Sequence, residues 1–466
     1  MGRMFQRVSN HRGDIIVGIL KCLTYLGLFF AFYRTMLVHN WPLAHPSRTL
    51  FSTMLTYVAV AFGMHAVYGG YDIGKKKSKP IITNMYLGSV VTDLVTYLEL
   101  QIMNVNENRN AYLKFFSSED FPWLLICMGI QAVFLMVIVR FGNHLYFSIY
   151  PPKKCLLILG NLGERAAIED KLNHYRLQWH VKDAATWDDP TIARRIESAE
   201  VVFIASVPEG ETMRLLKMCY DLHRDVLCKA QLQDIMLSSA QQVVVDDAPF
   251  LEMDYHKMTL WQRIVKRLMD IVLSMLALII TSPIMALCAL AIKLEDGGSV
   301  IFRQERMTVR GRSFTIRKFR TMKAEASLAD HFVSTQESDD RITKVGRFLR
   351  KTRLDELPQF VNIFLGDMTL VGPRPEMIDN ITRYKADLPT FVYREKVKAG
   401  LTGYAQIEGK YNTSPEDKLM LDLMYIENFS LWNDVRLIFR TLTVLFRPDS
   451  TEGFRETEKP GSSKNH

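Results

Sequence analysis

Two carboxylates stand side by side in KTRLDELPQF, residues 351–360. Asp355 and Glu356 follow Lys351 and Arg353, and Pro358 comes two residues later. Acids in this setting have two uses. They cap a helix, whose positive end stabilises a carboxylate. They also supply a carboxylate kept ionised so that it can attack phosphorus. Pro358 suits a first helical turn, Phe360, Val361 and Phe364 give that helix an apolar face, and Gly366 is placed to end it. Capping accounts for one acid, and the second leaves the question open.

The surrounding residues point to phosphate. Between Arg303 and Arg353 there are fourteen Lys/Arg and six Asp/Glu, an excess of eight that equals the +8 net charge of the whole chain. The basic character is therefore local, and it suits phosphate-bearing partners. In FTIRKFRTM, 314–322, a short apolar strand places Lys318 and Arg320 on one side of its pleat. In GDMTLVGPRPEM, 366–377, Pro373 and Pro375 fix the backbone around Arg374, whose guanidinium can hold a phosphate in bidentate fashion. KAGLTGYAQIEGKYN, 398–412, is a glycine-punctuated loop with cations. A phosphate-bearing substrate repels a carboxylate nucleophile, and Arg, Lys and a divalent metal would offset that repulsion. Adjacent acids could hold Mg²⁺, which takes one or two carboxylates plus phosphate oxygens. No motif or interleaved set of exposed aromatics favours nucleic acid.

The elements that must carry these residues start at a membrane. The chain has 466 residues, enough for about three domains at roughly 150 each. Apolar residues cluster at 14–33, 49–69, 81–103 and 121–140, each near the length of about 20 residues that spans a bilayer as a helix. The third carries Asp93 and Glu99, which should face other helices or an interface. Cations lie in the N-terminal tail (Arg3, Arg7, Arg12), the second loop (Lys75, Lys76, Lys77, Lys79) and the stretch after the fourth segment (Arg140, Lys153, Lys154). Both ends of this four-helix unit are therefore expected in the cytoplasm. No short apolar core with a small-residue cleavage site opens the chain, so no cleaved leader is expected. The six cysteines show no metal or disulfide spacing and read as reduced thiols.

A further apolar run, 268–292, is also long enough to span, yet Lys266 and Arg267 precede it and seven Arg/Lys between 303 and 320 follow. Both flanks favour the same side. Ser282-Pro283 interrupts the run. Proline removes a donor and clashes with the carbonyl of Ile279, a group Ser282 is placed to satisfy. The expectation is a broken, re-entrant helix, and the alternative is an ordinary span with a proline kink. The segment 341–354 sets Ile342, Val345, Phe348 and Leu349 on one helical face, as in a helix lying on an anionic membrane. Leu431–Phe446, with Trp432, Val435, Phe439 and Leu442, suits a membrane surface or a core equally.

Residues 151–250 read as a soluble α/β unit. KCLLILGNLGERAAI gives strand, glycine turn and helix, and EVVFIASV and QQVVVDD read as further buried strands. GNLG carries only Gly160 and Gly163 of a dinucleotide fingerprint, so a structural or regulatory module and a working nucleotide site both remain open.

The pieces KRLMDIVLS, the Ser-Pro break, FRQERMTVRGRSFTIRKFRTM, RKTRLDELPQF, GDMTLVGPRP and KAGLTGYAQIEGKYN occur in order over about 266–412. In these the chain resembles the polyprenyl-phosphate phosphoglycosyltransferases with a re-entrant membrane helix, in their long polytopic form, often called bacterial sugar transferases. Thr308 stands where members commonly carry glycine. The ending, YNTSPEDK and FRPDSTEGF, resembles capsule or exopolysaccharide enzymes of Gram-positive bacteria. The resemblance implies a membrane α plus α/β fold: four transmembrane helices (1–150), a Rossmann-like cytoplasmic domain (151–250), and a catalytic domain (260–449) with the re-entrant helix and amphipathic surface helices. A disordered tail, 450–466, follows. It also implies a two-step exchange in the plasma membrane of a bacterium, on the cytoplasmic face. Asp355 attacks a UDP-sugar and UMP leaves, then undecaprenyl phosphate takes the sugar phosphate, glucose or galactose phosphate being the expectation. Glu356 assists with metal or proton handling, Asp355 and Glu356 hold Mg²⁺, and Lys318, Arg320, Arg353, Pro373, Arg374 and Pro375 form the substrate contacts. Membrane lipid is a partner, and the two extra domains offer surface for a homodimer. The rival readings are a conventional glycosyltransferase releasing UDP, for which Asp339-Asp340 is a poor metal motif, and a membrane sensor reading nucleotide through 155–166.

Overall fold

A computed structural model describes residues 2–70, 72–74, 77–108, 120–173, 175–253, 258–323, 341–409 and 413–444; side chains are not described at 2–14, 104–108 and 444. The expected tail at 450–466, Lys75, Lys76 and the Asp339-Asp340 pair lie outside the described residues. The chain divides into two compact units between Lys229 and Ala230.

The first unit begins with four helices, α1 (Gly2–Met36), α2 (Arg48–Tyr68), α3 (Ser78–Asn108) and α4 (Asp120–Ile149). Each contains a stretch long and apolar enough to cross a membrane, as expected from the hydropathy pattern. The acids of the third stretch face neighbouring helices. Asp93 is fully buried and accepts from Gln131 Nε2 of α4 at 3.2 Å. Glu99 accepts from Thr53 Oγ1 of α2 at 3.1 Å and from Ser52. Polar groups that cannot reach water in lipid find partners across helices instead.

The same unit continues as β1 (Lys153–Leu159), α5 (Arg165–Asn173), β2 (Trp179–Thr186), α6 (Ile192–Ser198), β3 (Val201–Ala205), α7 (Glu209–Asp221) and β4 (Asp225–Cys228). The strands form one parallel sheet in the order β2-β1-β3-β4. Leu156 and Ile158 of β1 pack under α6 and α7 with Ile196, Leu215 and Cys219. Leu157 and Leu159 pack on the other face with Ile168 and Leu172 of α5. Burial on both faces explains why CLLIL is apolar without alternation. The glycine turn after β1 packs against Ser206: a Cβ on Gly160 would lie 1.9 Å from the carbonyl oxygen of Ser206, and Ser206 Oγ donates to Glu164 at 2.6 Å. A carboxylate therefore sits at the start of α5, where a bound phosphate would need open amides.

The second unit holds α8 (Leu232–Leu237), β5 (Gln241–Val245), β6 (Ala248–Glu252), α9 (Leu260–Asp296), β7 (Ile301–Met307), β8 (Ser313–Phe319), α10 (Lys344–Thr352), α11 (Gln359–Leu365), β9 (Thr369–Val371), α12 (Ile378–Asp387), β10 (Gly400–Thr402), α13 (Tyr404–Glu408), α14 (Pro415–Glu427) and α15 (Leu431–Val444). QQVVVDD corrects the expectation of a buried strand in the middle sheet. It forms a two-stranded antiparallel hairpin with 248–252, with Val244 73% and Phe250 53% exposed. Asp246 adopts φ 61°, a left-handed conformation that Asp tolerates, and the chain turns back there.

The apolar run around Pro283 is a single 37-residue helix rather than two broken pieces. Ser282 Oγ donates to the carbonyl of Ile279 at 2.8 Å, and Thr281 Oγ1 to that of Ala277 at 2.7 Å. These bonds satisfy carbonyls around the proline and let the helix continue. Both flanks of α9 rest on the second unit. Asp270 accepts from Thr369 Oγ1 at 2.7 Å and from the Leu370 amide at 3.0 Å. At the other flank Cys288 and Ile292 pack with Phe319 and Leu349. The middle is uncovered, with Ile279, Ile280 and Leu287 63%, 71% and 67% exposed.

Candidate active site

The dyad is held between two helices. Thr343 caps α10, its Oγ1 accepting from the Gly346 amide at 2.9 Å. The helix ends where Arg353 takes φ 59°, ψ 14°. That left-handed conformation costs a residue with a Cβ roughly 1–2 kcal/mol. Leu354–Glu356 then form one 3-10 turn, and Pro358 is the N-cap of α11. Asp355 and Glu356 therefore occupy a separate turn before α11, not its first turn, because Arg353 ends one helix just ahead of them and Pro358 starts the next. Gly366 closes α11 at φ 95°, as expected.

Three cations meet at Glu356, not Asp355. Lys318 Nζ and Arg374 Nη2 each lie 2.9 Å from Glu356 Oε1, and Arg353 Nη1 lies 3.9 Å from Oε2. Burial opposes the Glu356 charge, but Lys318, Arg374 and Arg353 outweigh it and hold the carboxyl well below the usual range. Asp355 goes the other way. Burial and then the adjacent Glu356 charge raise it, against the pull of Lys318, Arg350 and Arg353. The sequence sets both carboxylates beside cations; the fold makes Glu356 the anchor for the cations and leaves Asp355 uncommitted. Among the described residues no side chain donates a hydrogen bond or ion pair to Asp355. Nor is any group of three or more His, Cys, Asp or Glu there placed to hold a metal.

Pro373 and Pro375 are buried on either side of Arg374. The Pro373 carbonyl accepts from the Gly400 amide at 2.8 Å, tying the loop to the glycine segment. Gly372 and Gly400 approach so closely that a Cβ on Gly400 would lie 2.1 Å from the Gly372 nitrogen. Arg320 is the sequence-selected residue that does not join this group. Its Nη1 meets Asp296 Oδ2 at 2.5 Å and its Nε donates to the Ser299 carbonyl at 2.6 Å. It clamps the C-terminal end of α9 and is only 8% exposed. The strand ends at Phe319, so alternation no longer sets where the next side chain points. Ser282 and Pro283 stay in the uncovered middle of α9, as positions of the apolar segment rather than of the dyad.

Several residues beneath the site lie in the matching sequence pieces but are not among the site residues expected from sequence. Arg267 donates to the carbonyls of Ile363 and Phe364 at 2.8 Å each, capping α11. Lys266 pairs with Asp434 of α15 and donates to the Val371 carbonyl at 3.0 Å. Arg306 donates to the Pro375 carbonyl at 3.3 Å, and burial lowers its guanidinium to about 10. Thr308 turns its departure from glycine into a contact: its Oγ1 accepts from the Ala399 amide at 3.0 Å. Helix α10 buries Leu349 and leaves Phe348 59% exposed; α15 buries Asp434 and Leu437 and leaves Trp432 53% exposed.

A family model described as bacterial sugar transferase matches residues 261–448. A UDP-glucose:undecaprenyl-phosphate glucose-1-phosphate transferase of Escherichia coli K12 is 42% identical over 187 residues, 39% of this chain and 40% of that protein. A protein of the same name from Caulobacter vibrioides is 40% identical over 190 residues, 40% of this chain and 71% of that protein. An undecaprenyl-phosphate galactose phosphotransferase of Salmonella typhimurium is 38% identical over 201 residues, 40% of this chain and 41% of that protein. The match thus spans about two fifths of the Escherichia coli and Salmonella typhimurium proteins.

Proposed function

Because this chain belongs to the bacterial sugar transferase family, we propose that it moves a sugar 1-phosphate from a UDP-sugar to undecaprenyl phosphate and releases UMP. The observation that carries this reading is an Asp355 to which no side chain among the described residues donates, beside a Glu356 that gathers Lys318, Arg374 and Arg353. In the first step an Asp355 oxygen attacks the β-phosphorus. A carboxylate–phosphorus bond forms, and the bond from that phosphorus to the bridging oxygen breaks, its electron pair leaving with UMP. In the second step an oxygen of undecaprenyl phosphate attacks the same phosphorus. The bond to Asp355 breaks and the carboxylate is restored, giving undecaprenyl-diphosphate-sugar. The cations that meet at Glu356 stand where a diphosphate would share them, so the site is charged for phosphate before substrate arrives.

The same site fits Mg²⁺, which needs only one or two protein oxygens when phosphate completes its shell. Among the described residues no side chain donates to Asp355, and the cation at Glu356 Oε2, Arg353, stands 3.9 Å away. Asp355 and Glu356 would hold the ion, which when bound supplies neutralising charge at the diphosphate. The uncovered middle of α9 between two anchored flanks supports re-entry into one leaflet, with α1 to α4 as four spans and the catalytic unit on the cytoplasmic face. The parallel sheet then acts as a Rossmann-like scaffold. Its glycine turn, with the Glu164 carboxylate held beside it by Ser206, lends a nucleotide sensor no support. The relatives' names include glucose, galactose and N-acetylgalactosamine, and we take glucose or galactose as the sugar. The product suits the first step of capsule or exopolysaccharide assembly.

The test is UMP release by the purified chain with Mg²⁺, a short polyprenyl phosphate and a panel of UDP-sugars. Asp355→Asn should remain folded and lose both UMP release and the covalent phosphosugar adduct. Normal turnover by that variant would end the mechanism, and release of UDP would reassign the chain to conventional glycosyl transfer.

A further inference from the structure

Arg374 meets the dyad through its side chain and the rest of the unit through its backbone. Pro373 and Pro375 fix φ on either side of it. Between the two rings the soft torsions that remain are ψ of Pro373 and φ and ψ of Arg374, and the following proline confines Arg374 to the extended range. The direction of the Arg374 carbonyl depends on those torsions, and the carbonyl accepts from Arg394 Nη2 at 2.8 Å.

Arg394 is built in firmly. It lies in the 3-10 segment Pro389–Lys396 and is 4% exposed. Its guanidinium sits over the Phe391 ring at 4.9 Å. The same guanidinium grips Asp422 of α14, with Nε at 2.9 Å and Nη2 at 2.7 Å from Oδ2. One turn earlier on α14, Lys418 Nζ reaches Glu376 Oε1 at 2.8 Å. Between the two, Arg306 holds the Pro375 carbonyl. Residues 374, 375 and 376 are thus held from behind by Arg394, Arg306 and Lys418, and Arg394 Nη1 also stands 3.9 Å from Glu376 Oε1. Among the described residues no hydrogen bond or ion pair joins Arg394 or Asp422 to Asp355 or Glu356.

We propose that Arg394, seated on Asp422, is a positioning residue that sets the backbone of Arg374 and so delivers its guanidinium to the anion site. The role of that site as a diphosphate seat rests on the transferase reading above. A fork-shaped donor is needed because one head must serve a carboxylate and a carbonyl together, which a lysine ammonium does less well.

The experiment is a double-mutant cycle on the full chain in detergent, with UDP as the equilibrium probe. Arg394→Lys should weaken UDP binding at least fivefold in the wild-type background and less than twofold in an Arg374→Ala background. Equal losses in both backgrounds would make Arg394 a general structural residue and overturn the proposal, as would no loss in either. Should Arg394→Lys fail to fold, Asp422→Asn, which keeps the shape of the side chain, enters the same cycle with the same expectation. UMP release is read in parallel. A wild-type chain whose UDP affinity depends on Arg394 through Arg374, but which releases no UMP from any donor, would remove the transferase reading and leave this one standing. A wild-type chain that binds no UDP would overturn the inference.

Discussion

Lys266→Met tests the layer beneath the dyad. Lys266 Nζ contacts Asp434, the Val371 carbonyl at 3.0 Å and the Tyr425 hydroxyl at 3.3 Å. The Asp434 side chain is fully buried. The Tyr425 hydroxyl lies 2.8 Å from Asp434 Oδ1 and 3.0 Å from the Val371 carbonyl, and it has one proton for the two acceptors. Removing the ammonium therefore leaves a buried carboxylate and a carbonyl competing for a single donor. Breaking a buried pair in this way costs about 3–5 kcal/mol. For a unit of this size that is a fall in Tm of roughly 6–20 °C. The pH dependence carries a sign. Burial already raises the Asp434 carboxyl, against the pull of Lys266. Without Lys266 it rises further, so the folded state binds a proton that the unfolded state releases, and the loss grows as pH rises above the ordinary carboxylate range. The double variant Lys266→Met/Asp434→Leu should recover most of the stability, since a buried pair replaced by apolar groups is often neutral. The assay is thermal unfolding in detergent at several pH values. A shift under about 2 °C for the single variant, or equal losses in single and double variants, would refute the reasoning.

Arg320→Lys should lower stability by about 1.5–3 kcal/mol through its lost bonds to Asp296 and Ser299, while the KM for the nucleotide donor stays unchanged; a selective rise in KM would return Arg320 to the substrate site. Burial opposes the charge of Glu376, but Lys418 and Arg394 outweigh it and hold the carboxyl at about 2, against an ordinary 4.5. Its contribution, about 3 kcal/mol, is full above pH 4.5 and is lost as pH falls from there toward 2. Glu356 titrates in the same window, so the readout is the difference between the unfolding profiles of the wild type and Glu376→Gln; parallel profiles would refute it. Thr308→Gly should destabilise by about 1–3 kcal/mol because the buried Ala399 amide loses its acceptor, as denaturant unfolding would measure.

The parts of the site visible in the sequence are those fixed by local rules. Proline and glycine mark the limits of α11, and Ser282 lies within reach of the Ile279 carbonyl because three residues make nearly one helical turn. Lys318 and Arg374 are conspicuous as cations on a strand and between prolines. Contacts across long separations are not legible in this way. Nothing near Lys266 announces Asp434, and nothing near Arg374 announces Asp422. The division of labour within the dyad is hidden for the same reason: three cations from three separate elements decide which acid they neutralise. The hairpin 241–252 misleads because a buried strand and an exposed one have the same β-branched composition, and only the partner distinguishes them.

The two anchored flanks of α9 have a mechanical meaning. Asp270 is fastened beneath β9 and Asp296 to the strand end that follows Lys318. No linker intervenes between the apolar helix and the layers that carry the dyad. A force drawing that helix along its axis would load both fastenings together, and the dyad would move with them as one body. The height of Asp355 above the apolar segment is thus set through those two fastenings.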